Sequence, residues 1–219
     1  MRKVRKPEGK IRPKKERKVY FLSSGQTDQI RQALNETAKD SRVAEQQIVV
    51  DIILNAGLLP EELARLRIED LPHINGSNLI KICSSEYTTE RGIKADNQLI
   101  QRIRDYHSSF RGSARSGDTL IEHRGKAVNE PAIRRIISSF GDSCGLKLNP
   151  RNLRQTYAMR LYESTGDYDY VSEQFGRLDN SSDVLLHYIF VNFAHKERNE
   201  MLKNMYKRAD EKEKTQGQG

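Results

Sequence analysis

Apolar positions recur along most of this chain at intervals of three and four, the spacing that gathers side chains on one face of an α-helix. Ile30, Leu34 and Ala38 mark a first helix, opened by cap chemistry over Ser23 to Thr27 with Asp28 in its first turn. After a turn at Asp40-Ser41, a wide face of Ile48, Val49, Ile52, Ile53 and Ala56 predicts the central core helix. Glu45, Gln47, Asp51 and Asn55 are expected outside that face. Gly57 ends this helix, and Pro60, at a permitted first position, starts the next through Leu63 and Leu66. The period then shortens. His73 to Asn78 is rich in turn residues, Leu79 to Cys83 reads as a strand, and Arg91-Gly92-Ile93 reads as its return partner. Leu99, Ile100, Ile103 and Tyr106 stripe a helix over Asn97 to Ser108; Arg111 to Gly117 read as a loop and Thr119 to Ile121 as a short strand. Ile133, Ile136 and Ile137 line a helix over Asn129 to Phe140, and Met201, Leu202, Met205 and Tyr206 give the last helix an apolar side. The pattern predicts a mainly α domain with a small antiparallel β-sheet, an α+β fold.

Composition adds an arm to that domain. At 219 residues the chain suits one domain with tails: a basic disordered arm over 1–18, a globular part over 19–208 and a disordered tail over 209–219. Ten Lys/Arg, among them Lys14, Lys15, Arg17 and Lys18, stand against Glu8 and Glu16 in residues 1–18, a balance of +8. The other 28 basic and 28 acidic groups cancel, so the arm carries the whole excess. Such an arm grips polyanions, with DNA first and RNA or an acidic partner behind it; a solubilising tail is the bland alternative. The apolar stretch from Ile48 to Ala56 is too short for a membrane span and is broken by Asp51 and Asn55. With no signal peptide, the expected place is the cytoplasm, at the nucleoid. Cys83 and Cys144 are expected to be buried free thiols rather than a disulfide framework or metal cluster. No Gly-rich phosphate loop, zinc spacing or Ser-His-Asp arrangement stands out, so no cofactor, metal or small-molecule substrate is expected.

The candidate chemistry gathers between Asn149 and Tyr188. Pro150 suits a helix start, Leu153, Tyr157, Met159 and Leu161 offer a buried face, and Arg151, Arg154 and Gln155 stand in the opening turns, where a helix favours anions. Leu153-Arg154-Gln155-Thr156, then Phe175-Gly176-Arg177, then Tyr188 resemble the second signature box of the tyrosine recombinase (phage integrase) family. The family's box reads His-x-Leu-Arg-His-Thr, then Leu-Gly-His, then a nucleophilic tyrosine. Asn55 to Leu63, followed by Leu66 and by Ile68 to Leu71, resembles its first box, Thr-Gly-Leu-Arg-x-x-Glu-Leu with an acidic pair behind. The resemblance covers about residues 20–195.

That resemblance implies a catalytic-domain fold in which a tyrosine attacks a DNA phosphodiester without metal or ATP. A phenol of pKa about 10 must lose its proton as it attacks. Two arginines clamp the non-bridging oxygens, a lysine protonates the leaving oxygen, and histidines handle protons. Here Tyr188 falls at the nucleophile and Arg154 at one clamp. Leu59 replaces the first arginine, Arg151 and Gln155 replace the box histidines, and Arg177 replaces the last histidine. The interval from Arg177 to Tyr188 is longer than the family's, which makes Asp179 a rival for that place. Aligning Glu90-Arg91 with the family's Lys-Glu-Arg puts Glu86 where the general-acid lysine belongs, with Lys81 and Lys94 nearby. Arg151 and Arg177 strengthen phosphate grip while removing proton transfer; Arg65 and Lys94 are further candidates for DNA contact. The implied partner is double-stranded DNA, with self-association on it through the C-terminal helix. The implied activity is DNA integration or site-specific recombination, with weak or no strand transfer. A catalytically silent DNA clamp or regulator, or an RNA-binding protein acting through its arm, are the alternatives. Tyr188 as a plain core tyrosine and Arg154 as an ion-pair partner are the structural readings set against these roles.

Overall fold

The computed structural model describes residues 20–85, 88–123 and 125–176. Within them the fold is mostly helical, with two small antiparallel hairpins.

Ser23 caps α1 (Ser24–Asn35), its hydroxyl accepting from the Gln26 N–H while the Gln26 side chain returns to the Ser23 N–H. Asp40 caps α2 (Ser41–Ala56) through the Val43 N–H. Helix α2 is the axis of the domain, because α1, α5 (Asn97–Phe110), α6 (Glu130–Ser143) and α7 (Pro150–Thr165) all pack on it. Surrounded this way, α2 has no outer face over most of its length. The expectation that Glu45 and Asp51 stand outside the apolar face is therefore corrected: both are buried, Asp51 at 1% exposure. Asp51 is tolerated there because Arg102 of α5 pairs with it and the Asn55 amide donates to it at 2.6 Å. Burial raises its pKa, and these two partners offset part of the rise.

Beyond α2 come α3 (Pro60–Arg65), a 3-10 turn (Ile68–Asp70) and a short α4 (Pro72–Asn75). The hairpin of β1 (Leu79–Ile82) and β2 (Arg91–Lys94) follows, with Ile80 opposite Ile93 and Ile82 opposite Arg91. Its pleat sends Ile80, Ile82, Arg91 and Ile93 inward and Leu79, Lys81 and Lys94 to solvent. The same alternation carries Cys83 to the exposed side, and Cys144, at the end of α6, is half-buried. Neither thiol is buried as expected. The expected strand over Thr119 to Ile121 is also corrected. Thr119 makes a single bridge to Arg67 and the Leu120 N–H bonds the Leu66 carbonyl, while the second hairpin is β3 (Glu122–His123) with β4 (Lys126–Ala127).

One large core lies between α1, α2, α5 and α6. A smaller apolar cluster of Tyr157, Ala158, Val171 and Phe175 joins α7 to α8 (Tyr168–Phe175) and takes in Phe21. Among the described residues no helix is long and apolar enough to cross a membrane. The expected terminal helix, the arm and the tail lie outside the described residues.

Candidate active site

The opening of α7 is fixed by a reciprocal cap. The Asn149 carboxamide accepts from the Asn152 N–H at 2.9 Å, the Asn152 carboxamide accepts from the Asn149 N–H at 3.0 Å, and Pro150 takes the first position. From this start Arg151 faces solvent and Arg154, one turn on, turns inward to 7% exposure. The Arg154 Nε donates to the Gly57 carbonyl at 2.7 Å, and its guanidinium carbon lies 4.4 Å from the centre of the Phe175 ring. Three elements thus orient one cation: the end of α2, the start of α7 and the end of α8.

Gly57 makes the first of those contacts possible. It closes α2 at φ +69°, and a Cβ there would lie 2.3 Å from the Tyr157 ring. Tyr157 stands near Arg91 and Arg154, but its phenol is ill-suited to attack. Burial drives its pKa well above the ordinary value, and Arg91 and Arg154 only partly counter that.

At the start of α3, Leu59, which motif spacing aligns with the first family arginine, is buried at 6% exposure. Its backbone N–H donates at 2.8 Å to Glu62, which in turn accepts two bonds from Arg91 at 2.7 and 3.0 Å. The Arg91 Nε donates to the Gln174 carbonyl at 2.9 Å, and the Thr89 N–H to the Gly176 carbonyl at 2.8 Å. Gly176 is left-handed, and any Cβ there would meet the Arg91 guanidinium at 2.4 Å. This buried Glu62–Arg91 pair ties α3, β2 and α8 into one frame behind Arg154. The sequence marks Arg91 as a strand residue and an alignment anchor, with no role at the site. The available signal was a Glu in one box and an Arg in a short strand, each at an otherwise inward-facing position.

Gln155 and Thr156, both buried, are engaged with the start of the described chain. Gln155 accepts from the Tyr20 N–H at 3.0 Å, and Thr156 accepts from the Leu22 N–H at 2.9 Å while donating to the Asn152 carbonyl at 2.8 Å. Gln155, which motif spacing aligns with a family histidine, therefore does structural duty here. Arg65 is exposed at the end of α3, its Nε donating to the Glu61 carbonyl at 3.1 Å, on a groove it shares with Arg67, Lys81, Cys83 and Ser84. Lys94 is exposed at the end of β2, opposite Leu79. Arg151 and Arg154 thus share the first turns of α7, whereas Arg65 and Lys94 stand on the α3 and hairpin surface. Arg177, Tyr188, Asp179, Glu86, Lys14, Lys15, Arg17 and Lys18 lie outside the described residues. No group of three or more His, Cys, Asp or Glu side chains is placed to hold a metal ion among the described residues.

A domain of this architecture, with Arg154 at the opening of α7, is a phage-integrase-type domain, and residues 22–195 match the phage integrase family; the chain belongs to it. A tyrosine recombinase of Agathobacter rectalis is 25% identical over 74% of this chain and 52% of its own length. Tyrosine recombinase XerC of Pseudomonas entomophila is 27% identical over 77% and 56%. The chain therefore spans about half the length of these curated relatives. Among solved structures, XerA recombinase is similar in fold at a TM-score of 0.66, with 19% identity over 82% of this chain and 65% of that one. The Tn1549 transposon integrase in complex with transposon right-end DNA gives 0.61 at 15% identity, over 86% and 67%.

Proposed function

We propose that this chain is a DNA-binding protein of the tyrosine recombinase type. It acts on double-stranded DNA in integration or site-specific recombination, with weak or no strand transfer. The observation that carries this reading is the contrast between Arg154, oriented by Gly57 and Phe175, and Leu59, buried where the family's other arginine stands. One fork of the proposed phosphate clamp is Arg154, and the position aligned with the other holds an apolar side chain. In this reading Arg154 grips a non-bridging phosphate oxygen, a task that suits a rigid guanidinium. Arg151, Arg177, Lys94, Arg65 and the arm residues Lys14, Lys15, Arg17 and Lys18 add contacts along the backbone, and Tyr188 is the nucleophile of any remaining cleavage. Similar folds found with DNA, such as the Tn1549 integrase, support duplex DNA as partner. The arm over 1–18 acts with a domain over 19–208, and the C-terminal helix joins copies on the duplex.

A second reading, a silent clamp on a retired active site, is favoured by Gln155, whose carboxamide is bonded to Tyr20 rather than offered to a substrate. Losing one preorganised donor costs about 10²–10³ in rate, and several are replaced here.

A nicked suicide duplex tests both. Arg154→Ala should weaken duplex binding by about 1.5–3 kcal/mol, the range for hydrogen bonds to charged groups. Tyr188→Phe should leave binding unchanged and abolish any covalent protein–DNA adduct. An adduct in the wild type supports the recombinase; its absence, with Arg154→Ala still weakening binding, supports the clamp. Unchanged binding in Arg154→Ala overturns both, and preferential competition by RNA would point to the arm acting on RNA.

A further inference from the structure

On another flank of α7, the helix's third arginine, Arg160, lines a polar cavity that Arg154 does not. We propose that this cavity, bounded by α1, α2, α5 and α7, is a binding site for a phosphate-class oxyanion held by Arg31, Arg102 and Arg160.

The cavity has a volume of about 300 Å³, and its lining includes these three arginines, Asn35, Asn55 and a single carboxylate, Asp96. That carboxylate is engaged in capping α5, accepting from the Leu99 N–H at 2.7 Å. Asp51, behind the wall, is taken by Arg102, whose Nη2 lies 3.0 Å from it, and by Asn55 at 2.6 Å. Arg31 pairs with Asp28 at 3.3 Å, but both side chains are more than half exposed, so that bond is weak.

Arg160 is the telling member. Its recorded partner is neutral: Nη1 donates to the Asn55 carboxamide at 3.0 Å, and no ion pair with a carboxylate forms among the described residues. Its surroundings disfavour its charge, first through burial and then through the neighbouring Arg31, while Asp96 and Glu163 offset part of that cost. A guanidinium does not shed its proton in a protein, so the part of that cost left uncompensated stands until an anion enters. Arg160, with the N–H groups that Arg102 and Arg31 keep beyond their bonds to Asp51 and Asp28, offers converging donors that suit a tetrahedral oxyanion. The start of α5 at the cavity wall adds partial positive charge. Arg160 follows Arg154 by six residues, about 240° around the helix, so the two arginines face different neighbours. The proposal therefore does not depend on the active-site reading.

Two sources share this chemistry, a DNA backbone phosphate and a free phosphate. Titration of the full chain with inorganic phosphate, followed by calorimetry, tests the site. We expect one phosphate per chain through this cavity, weakened at least tenfold in Arg160→Met, which keeps the apolar stem, with circular dichroism unchanged. Should Arg160→Met fail to fold, Arg31→Ala, at an exposed position, should give a weakening of the same sign. Saturating duplex displaces the phosphate if the DNA backbone is the natural occupant and leaves it bound if free phosphate is. Absence of binding to the wild type, or equal binding by wild type and the folded variants, overturns the proposal.

Discussion

Two helix starts frame the candidate site, and they are built differently. Helix α7 opens with a side-chain cap in both directions, proline at its first position and two arginines in its first turns. Helix α3 also opens with proline, but its cap residue is Leu59, so only the return bond from Glu62 to the backbone is made. Both starts are rigidly framed, α7 by Asn149 and Asn152 and α3 by the Glu62–Arg91 pair. The frame is therefore separable from the chemistry. On the proposed reading, the backbone that would present two clamping arginines is kept, and a core leucine stands at one of the two positions.

The largest test breaks the frame of α3. Arg91→Met leaves Glu62 charged, buried and without its partner. Such breaks cost about 3–5 kcal/mol. Chemical denaturation should show that loss; a change below about 1 kcal/mol would mean the pair does not join α3, β2 and α8.

Next comes the residue lying between the two starts. Gly57→Ala forces a left-handed alanine against the Tyr157 ring, and strain with overpacking should cost about 2–4 kcal/mol. Because the Gly57 carbonyl holds Arg154, duplex affinity should fall with stability. Unaltered affinity in the folded fraction would show that the Gly57 bond does not orient the clamp.

The comparison is sharpened by restoring the missing side chain. Leu59→Arg gives up the burial of a leucine, about 1.5–3 kcal/mol, and supplies the second fork. If the frame is all that catalysis lacks at this position, adduct formation on the suicide duplex should rise above wild type. A folded variant with no gain would show that the histidine and lysine replacements are limiting.

How much of this was legible in the sequence follows from the same contrast. Periodicity located α1, α2, α5 and α6, because each contributes a continuous apolar stripe to one core. It failed for Glu45 and Asp51, because α2 is covered on all sides and amphipathic logic assumes a wet face. It failed at Thr119, where bonding to Leu66 and Arg67 is decided by tertiary neighbours rather than local alternation. At the site, the helix starts at Pro150 and Pro60, which carry Arg154 and follow Leu59, were readable from proline position and motif spacing. The Glu62–Arg91 pair and the use of Gln155 were not, since both depend on contacts between segments far apart in sequence.

The smallest effect lies at Gln155, and it asks whether α7 is also partly given over to structure. Its carboxamide accepts from the Tyr20 N–H, at a residue 61% exposed. Water can replace that acceptor, so Gln155→Leu should cost about 0.5–1 kcal/mol, the low end for a hydrogen bond. Native-state hydrogen exchange gives the sharper readout. The Tyr20 amide should lose protection, while the Leu22 amide, held separately by Thr156, should keep most of its own. Loss at both positions would mean that residues 20–22 dock as one unit governed by Gln155. Loss at neither would mean that the apolar seat of Phe21 against the Tyr157 cluster holds the segment alone. In that last case Gln155 is not committed to structure, and Gln155→His could return a proton-handling group to α7 without disturbing the entry of the chain. If Tyr20 alone responds, the same substitution must trade an anchoring bond for chemistry, and α7 resembles α3 more than its two arginines imply.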